Sequence, residues 1–184
     1  MTTNFWRDAA KGGIIIGAIV IAATYIKAWL AMSGSGMGTL FTLLELVAVV
    51  YFVYRLSKQR SMLYDSATGY SYGQNMGFVM AVMLLAGVIY GIGYYFLVNH
   101  IFSDYGAIMI EASEKAAYTM YGDMADAIVG QMYAMLANPI FWLFYGVFAM
   151  VIYGGIIGLF VSAFTKRRPD VFANNTPQNN GQES

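Results

Sequence analysis

The chain of 184 residues has no cysteine, one histidine, three prolines and only 11% charged residues. Without cysteine there can be no disulfide, no thiolate metal site and no cysteine nucleophile. His100 has no second histidine and no close acidic pair, so a zinc site lacks ligands. No Gly-x-x-x-x-Gly-Lys-Ser/Thr loop and no Gly-x-Ser-x-Gly elbow occurs. Gly69, Gly73 and Gly77 fall close together, but no strand precedes them and no lysine accompanies them, so they do not read as a phosphate cradle. A soluble domain averages about 25% charged residues. Nucleic-acid binding would want a basic stripe on a soluble face, and none is present. The expectation is a protein without enzymatic activity, cofactor, metal or nucleic-acid partner.

Hydrophobic residues are abundant instead, at 59% of the chain. They gather in four runs, 12–32, 37–54, 76–98 and 140–164. Each reaches the ~17–25 residues that a tilted helix needs to cross ~30 Å of hydrocarbon. Basic residues stand before the first run (Arg7, Lys11), between the second and third (Arg55, Lys58, Arg60) and after the fourth (Lys166, Arg167, Arg168). Those three segments hold eight basic residues against Asp8, Asp65, Asp170 and Glu183, or +4. The segment between the third and fourth runs holds Lys115 against Asp104, Glu111, Glu114, Asp123 and Asp126, or −4. Lys and Arg accumulate in cytoplasmic loops, so both termini are expected in the cytoplasm. The predicted fold is an all-α, polytopic membrane bundle, 1–169, followed by a disordered polar tail, 170–184. The start could be mistaken for a secretory signal, but Lys27 and Trp29 sit at the would-be cleavage site, and a retained signal anchor is the better reading.

Local signals punctuate the runs. Ser33-Gly34-Ser35-Gly36 predicts a tight reversal between the first two spans. Ser71 followed by Gln74 fits a capping box, which starts the third helix near Tyr72. Asn138 before Pro139 starts the fourth span. The outer loop, 99–138, is too long for a simple connection. From Met120 to Leu136 it has helical period, with Met120, Met124, Ile128, Met132 and Met135 on one face and Asp123, Asp126 and Gly130 opposite. This predicts one amphipathic helix of about 25 Å, with a shorter helix near 104–117 before it. The pair either lies across the outer end of the bundle or in the headgroup layer, or it forms a Met-rich lid or docking face.

Gly13 and Gly17, Gly87 and Gly91, and Gly154 and Gly158 form Gly-x-x-x-Gly patterns, which allow spans to approach closely within the bundle or between copies. Lys27 and Glu45 are the charges well inside spans, where such groups face the bundle interior or water. Lys27 lies five residues before the end of its span and Glu45 eight residues into the next, a depth difference of roughly 4.5 Å at 1.5 Å rise. A structural ion pair forms if both face the shared groove. The alternatives are Lys27 snorkelling outward, an ion or proton path, or a subunit contact. Tyr90, Tyr94 and Tyr95 close the third span and read as interfacial anchors.

The stretch Gly69-Tyr70-Ser71-Tyr72-Gly73-Gln74-Asn75 resembles the signature before the third span of an uncharacterised four-span family, domain of unknown function 4199, found mainly in Bacteroidota. Tyr94-Tyr95-Phe96-Leu97-Val98-Asn99-His100-Ile101, Asn138-Pro139 and Lys166-Arg167-Arg168-Pro169 agree with it in order and spacing. The resemblance covers roughly 5–169 and implies a four-span fold in the inner membrane, with no activity attached. The functional expectation is a non-enzymatic membrane scaffold or accessory subunit. It would meet lipid, and a protein partner or a second copy, through the bundle and the outer helix. The alternative is an oligomeric small transporter or lipid-translocating protein with a path near Glu45.

Overall fold

A computed structural model describes residues 4–65 and 67–170; for Ala112 and Asp123 only the backbone is described. The expected tail beyond Asp170 lies outside the described residues, as does the side-chain position expected for Asp123. Six α-helices account for most of the described chain: α1 (Phe5–Met32), α2 (Gly38–Ser61), α3 (Tyr72–Phe96), α4 (Ser103–Tyr121), α5 (Ala125–Ala137) and α6 (Pro139–Thr165). A π-helical turn, Leu97–Ile101, extends α3. Four helices, α1, α2, α3 with its π turn, and α6, are long and apolar enough to cross a membrane.

The helices outrun the apolar sequence at the end of the bundle that carries the termini. There α1 begins at Phe5 rather than at residue 12, and α2 continues to Ser61 rather than to 54. Charged residues outside hydrocarbon still propagate a helix, so the apolar run measures the membrane and not the helix. Local chemistry sets the starts. Ser71 accepts from the Gln74 amide at 3.2 Å while Gln74 accepts from the Ser71 amide at 2.9 Å, which satisfies two orphan donors of α3. Asn138 accepts from the Ile140 amide at 2.9 Å, and Pro139 opens α6.

The axis of the bundle is α3, packed chiefly on α6 and α1, while α2 lies at the edge against α1 and α6. Apolar surface gives little drive for association between helices already in lipid, so close approach has to come from shape. A Cβ at Gly146 would sit 2.5 Å from the Gly91 backbone and 2.6 Å from the Gly87 carbonyl. One at Gly87 would sit 2.6 Å from Val147 Cα, and one at Gly91 would strike the Trp142 carbonyl. Gly13 and Gly17 meet Leu85 and Ile89 across the α1–α3 seam, and Gly154 and Gly158 take Met83 and Met76. All six glycines of the repeated pattern therefore face inward. Buried Ile16, Val20, Val79, Val82, Met83 and Val161 fill the space between them.

The segment between the third and fourth spans departs from expectation. No single helix runs from Met120 to Leu136. The chain breaks at Gly122–Met124, where Gly122 adopts φ +52° and a short 3-10 turn follows. A left-handed residue cannot continue a right-handed helix. As a result α4 extends to Tyr121, and the expected methionine face is divided. Met120 lies in the last turn of α4, Met124 sits in the 3-10 turn, and Ile128, Met132 and Met135 belong to α5.

Candidate functional site

Three polar or open places interrupt the apolar bundle. The first lies between all four spans. Lys27 of α1 donates to Glu45 of α2 at 2.5 Å, with side-chain exposures of 26% and 11%. The pair borders a cleft of about 340 Å³ that also receives Thr42, Tyr90, Met150 and Tyr153. An unpaired charge here would be costly in hydrocarbon, and pairing offsets that cost. The cleft is mixed: one ion pair and two phenols set among aliphatic walls. It can hold a polar or zwitterionic group.

The second place is the end of the bundle carrying both termini, where the Gly69–Asn75 motif acts as a clasp. Gly69 has φ +66°, and a Cβ on it would lie 2.7 Å from the Arg167 carbonyl and 2.8 Å from Pro169 N. Glycine is thus required twice, for the turn and for the contact. Tyr70 and Arg167 exchange backbone hydrogen bonds at 2.9 Å in both directions. The Tyr72 hydroxyl donates to the Leu159 carbonyl, and Asn75 Nδ2 donates to Ser162 Oγ at 2.9 Å inside the bundle. Gly73 has open space around its Cβ position, and Gln74 serves the cap. The motif therefore staples the start of α3 to the end of α6.

Arg60, read from the sequence as an orienting charge, is 4% exposed. It donates to Asp8 at 3.0 Å, and its guanidinium lies 4.9 Å from the ring centres of both Phe5 and Phe78. Carboxylate pairing and stacking on aromatic faces together replace its water. Nothing local signals this. Asp8 is 52 residues away in sequence, and only the fold brings it near. Tyr70 packs at 4.7 Å on Tyr64. Burial pushes the Tyr70 phenol up to about 12, against the opposing pull of the nearby Arg60 cation.

The third place is the opposite end. The last carbonyls of α5 lack helical partners, and Leu136 O accepts from both Asn99 Nδ2 (3.0 Å) and Trp142 Nε1 (2.8 Å). One acceptor thereby joins α5 to the π turn and to α6. Tyr94 stacks on Trp142 at 4.7 Å and is buried. This corrects the expectation of an interfacial anchor: its partner is an indole of α6, not the headgroup layer. Met132 and Met135 line a groove of about 250 Å³ with Met109, Ile110, Phe141 and Trp142. Ile128 packs on Ala117, Ala125 and Val129 between α4 and α5. Met120 and Met124 stand 72% and 73% exposed at the break. The Tyr118 hydroxyl donates to Asp126 at 2.7 Å across that break, and this bond raises the pKa of the phenol.

Among the described residues, no group of three His, Asp or Glu side chains gathers to hold a metal ion. Four long apolar helices locked by glycine seams, with an ion pair between them and a short helical layer at one end, define a multi-pass helical membrane protein. Within that class, the family model described as "Protein of unknown function (DUF4199)" matches residues 11–167, and the chain belongs to that family. No curated protein and no solved structure matches it.

Proposed function

We propose that the protein is a non-enzymatic accessory or scaffold subunit of a bacterial inner membrane, with both termini in the cytoplasm. The eight basic residues grouped at the end with the termini, and the acidic excess at the other, support that orientation. One observation carries the scaffold reading. The Gly13/Gly17, Gly87/Gly91 and Gly154/Gly158 pairs are consumed inside the bundle, whereas the α4–α5 layer leaves Met120 and Met124 open at its break and, separately, presents Met109, Met132 and Met135 in a groove against α6. Methionine is flexible and polarisable and adapts to irregular partner surfaces. The partner is another membrane protein docking at the non-cytoplasmic face.

The test is purification from native membranes without overexpression. A single protein should co-purify in fixed ratio with the wild type and be lost from a Met120→Gln/Met124→Gln variant whose bundle unfolds at the same temperature. Co-purification that survives the double variant would refute docking at this layer.

A second reading is favoured by the cleft at Lys27 and Glu45. There the protein passes a small polar solute or a lipid headgroup across the bilayer, as an oligomer. Glu45→Gln would then abolish flux in proteoliposomes while the protein still inserts. Unchanged flux would remove that reading.

A further inference from the structure

The end of the bundle bearing the termini has a pocket of about 370 Å³ between the last turns of α2 and α6. We propose that it binds the phosphate headgroup of an anionic phospholipid in the leaflet at that end. Three of its lining residues are cations: Lys58 on α2, and Lys166 and Arg167 just after α6. Among the described residues, no carboxylate lines it. The Arg167 side chain is held in place by donation to the Ser61 carbonyl at 3.3 Å, and its backbone is fixed by the Tyr70 pairing. Lys58 lies with its ammonium 5.8 Å from the Tyr54 ring centre.

The remaining walls decide the class of ligand. Met62 and Phe164 are exposed at 61% and 79%, and Tyr54 is exposed beside them. A basic floor with apolar walls at the hydrocarbon edge matches an amphiphile. A free phosphate would use the cations and leave the walls unexplained. Basic pockets between spans on the cytoplasmic side suit anionic headgroups in this way. The placement has a competing origin, because cations at the C-terminal ends of α2 and α6 also complement the helix dipoles. Two helix ends supply roughly one negative charge together. Three cations exceed that, and the surplus is available to a phosphate diester. This proposal does not depend on the docking surface at the other end of the bundle.

The experiment uses the purified full chain in neutral detergent. Thermal unfolding is followed with added phosphatidylglycerol, with phosphatidylcholine and with inorganic phosphate at equal concentration. The test variant is Lys58→Gln/Lys166→Gln. The control is Arg7→Gln/Arg168→Gln, which removes the same charge outside the lining. Each cation near an anionic surface is worth about 1 kcal/mol, so losing two should raise the half-saturating concentration of phosphatidylglycerol about thirtyfold. The control should respond as the wild type does, and phosphatidylcholine and inorganic phosphate should give little shift. Native mass spectrometry of retained lipid reads the same contrast if the test variant is less stable. The proposal fails if the test variant keeps the wild-type response, if phosphatidylcholine serves equally, or if inorganic phosphate alone reproduces the shift.

Discussion

Gly146→Ala and Gly155→Ala make the same chemical change on one helix, and the structure assigns them opposite outcomes. At Gly146 the new methyl would sit 2.5 Å from the Cα and N of Gly91, and 2.6 Å from the Gly87 carbonyl. All three are backbone atoms, which cannot rotate away. Ordinary contact begins near 3.4 Å, so α3 and α6 would have to separate locally by about 0.9 Å. A gap of 0.5–1 Å forfeits about a quarter to a half of each dispersion contact it opens, and overpacking of this kind costs about 1–3 kcal/mol. With backbone on both sides, Gly146→Ala belongs at the upper end, about 3 kcal/mol. A Cβ at Gly155 meets nothing within 4 Å among the described residues. There the methyl faces outward, and alanine's better helix propensity should stabilise by up to about 1 kcal/mol. Equilibrium unfolding in mixed detergent micelles measures both against wild type. Equal stability of the two variants, or the reverse order, would show that α3 and α6 do not cross at Gly91 and Gly146.

Glu45→Gln should insert normally but lower bundle stability by about 1–2 kcal/mol, because it leaves the partly exposed Lys27 cation without its partner. Adding Lys27→Met should recover much of that loss, and a double variant no more stable than Glu45→Gln would refute the pair's structural role. Tyr70 gives a pH signature. Its phenol is held neutral by burial up to about 12 against an ordinary value near 10. The folded state therefore keeps a proton that the unfolded state releases, and stability is present below pH 10 and falls between pH 10 and about 12. The slope of stability with pH in that window should be shallower in Tyr70→Phe than in wild type; identical slopes would contradict the burial argument.

The features legible in the sequence are those fixed by the bilayer or by neighbours along the chain. Run length follows from hydrocarbon thickness, and the starts at Ser71 and Asn138 follow from capping chemistry within three residues. The features that escape it depend on residues far apart. Arg60 resembles any orienting cation until Asp8, Phe5 and Phe78 surround it. Tyr94 resembles an interfacial anchor until Trp142, 48 residues on, stacks against it. The methionine face fails for the opposite reason. Its period is a genuine local signal, but one backbone angle at Gly122 interrupts the helix that the period assumes. Lys27 and Glu45 show how far spacing alone reaches: it limits their depth difference, while their meeting depends on the rotation of α1 and α2 about their axes.

Because the chain has no cysteine, single cysteines can report on either side of the membrane without background. Met124→Cys at the exposed break between α4 and α5 and Lys58→Cys at the basic end are to be treated, in intact cells, with a membrane-impermeant maleimide. With both termini in the cytoplasm, Met124→Cys should label at once and Lys58→Cys only after the cells are opened. Labelling of both positions from the same side of intact cells would contradict it.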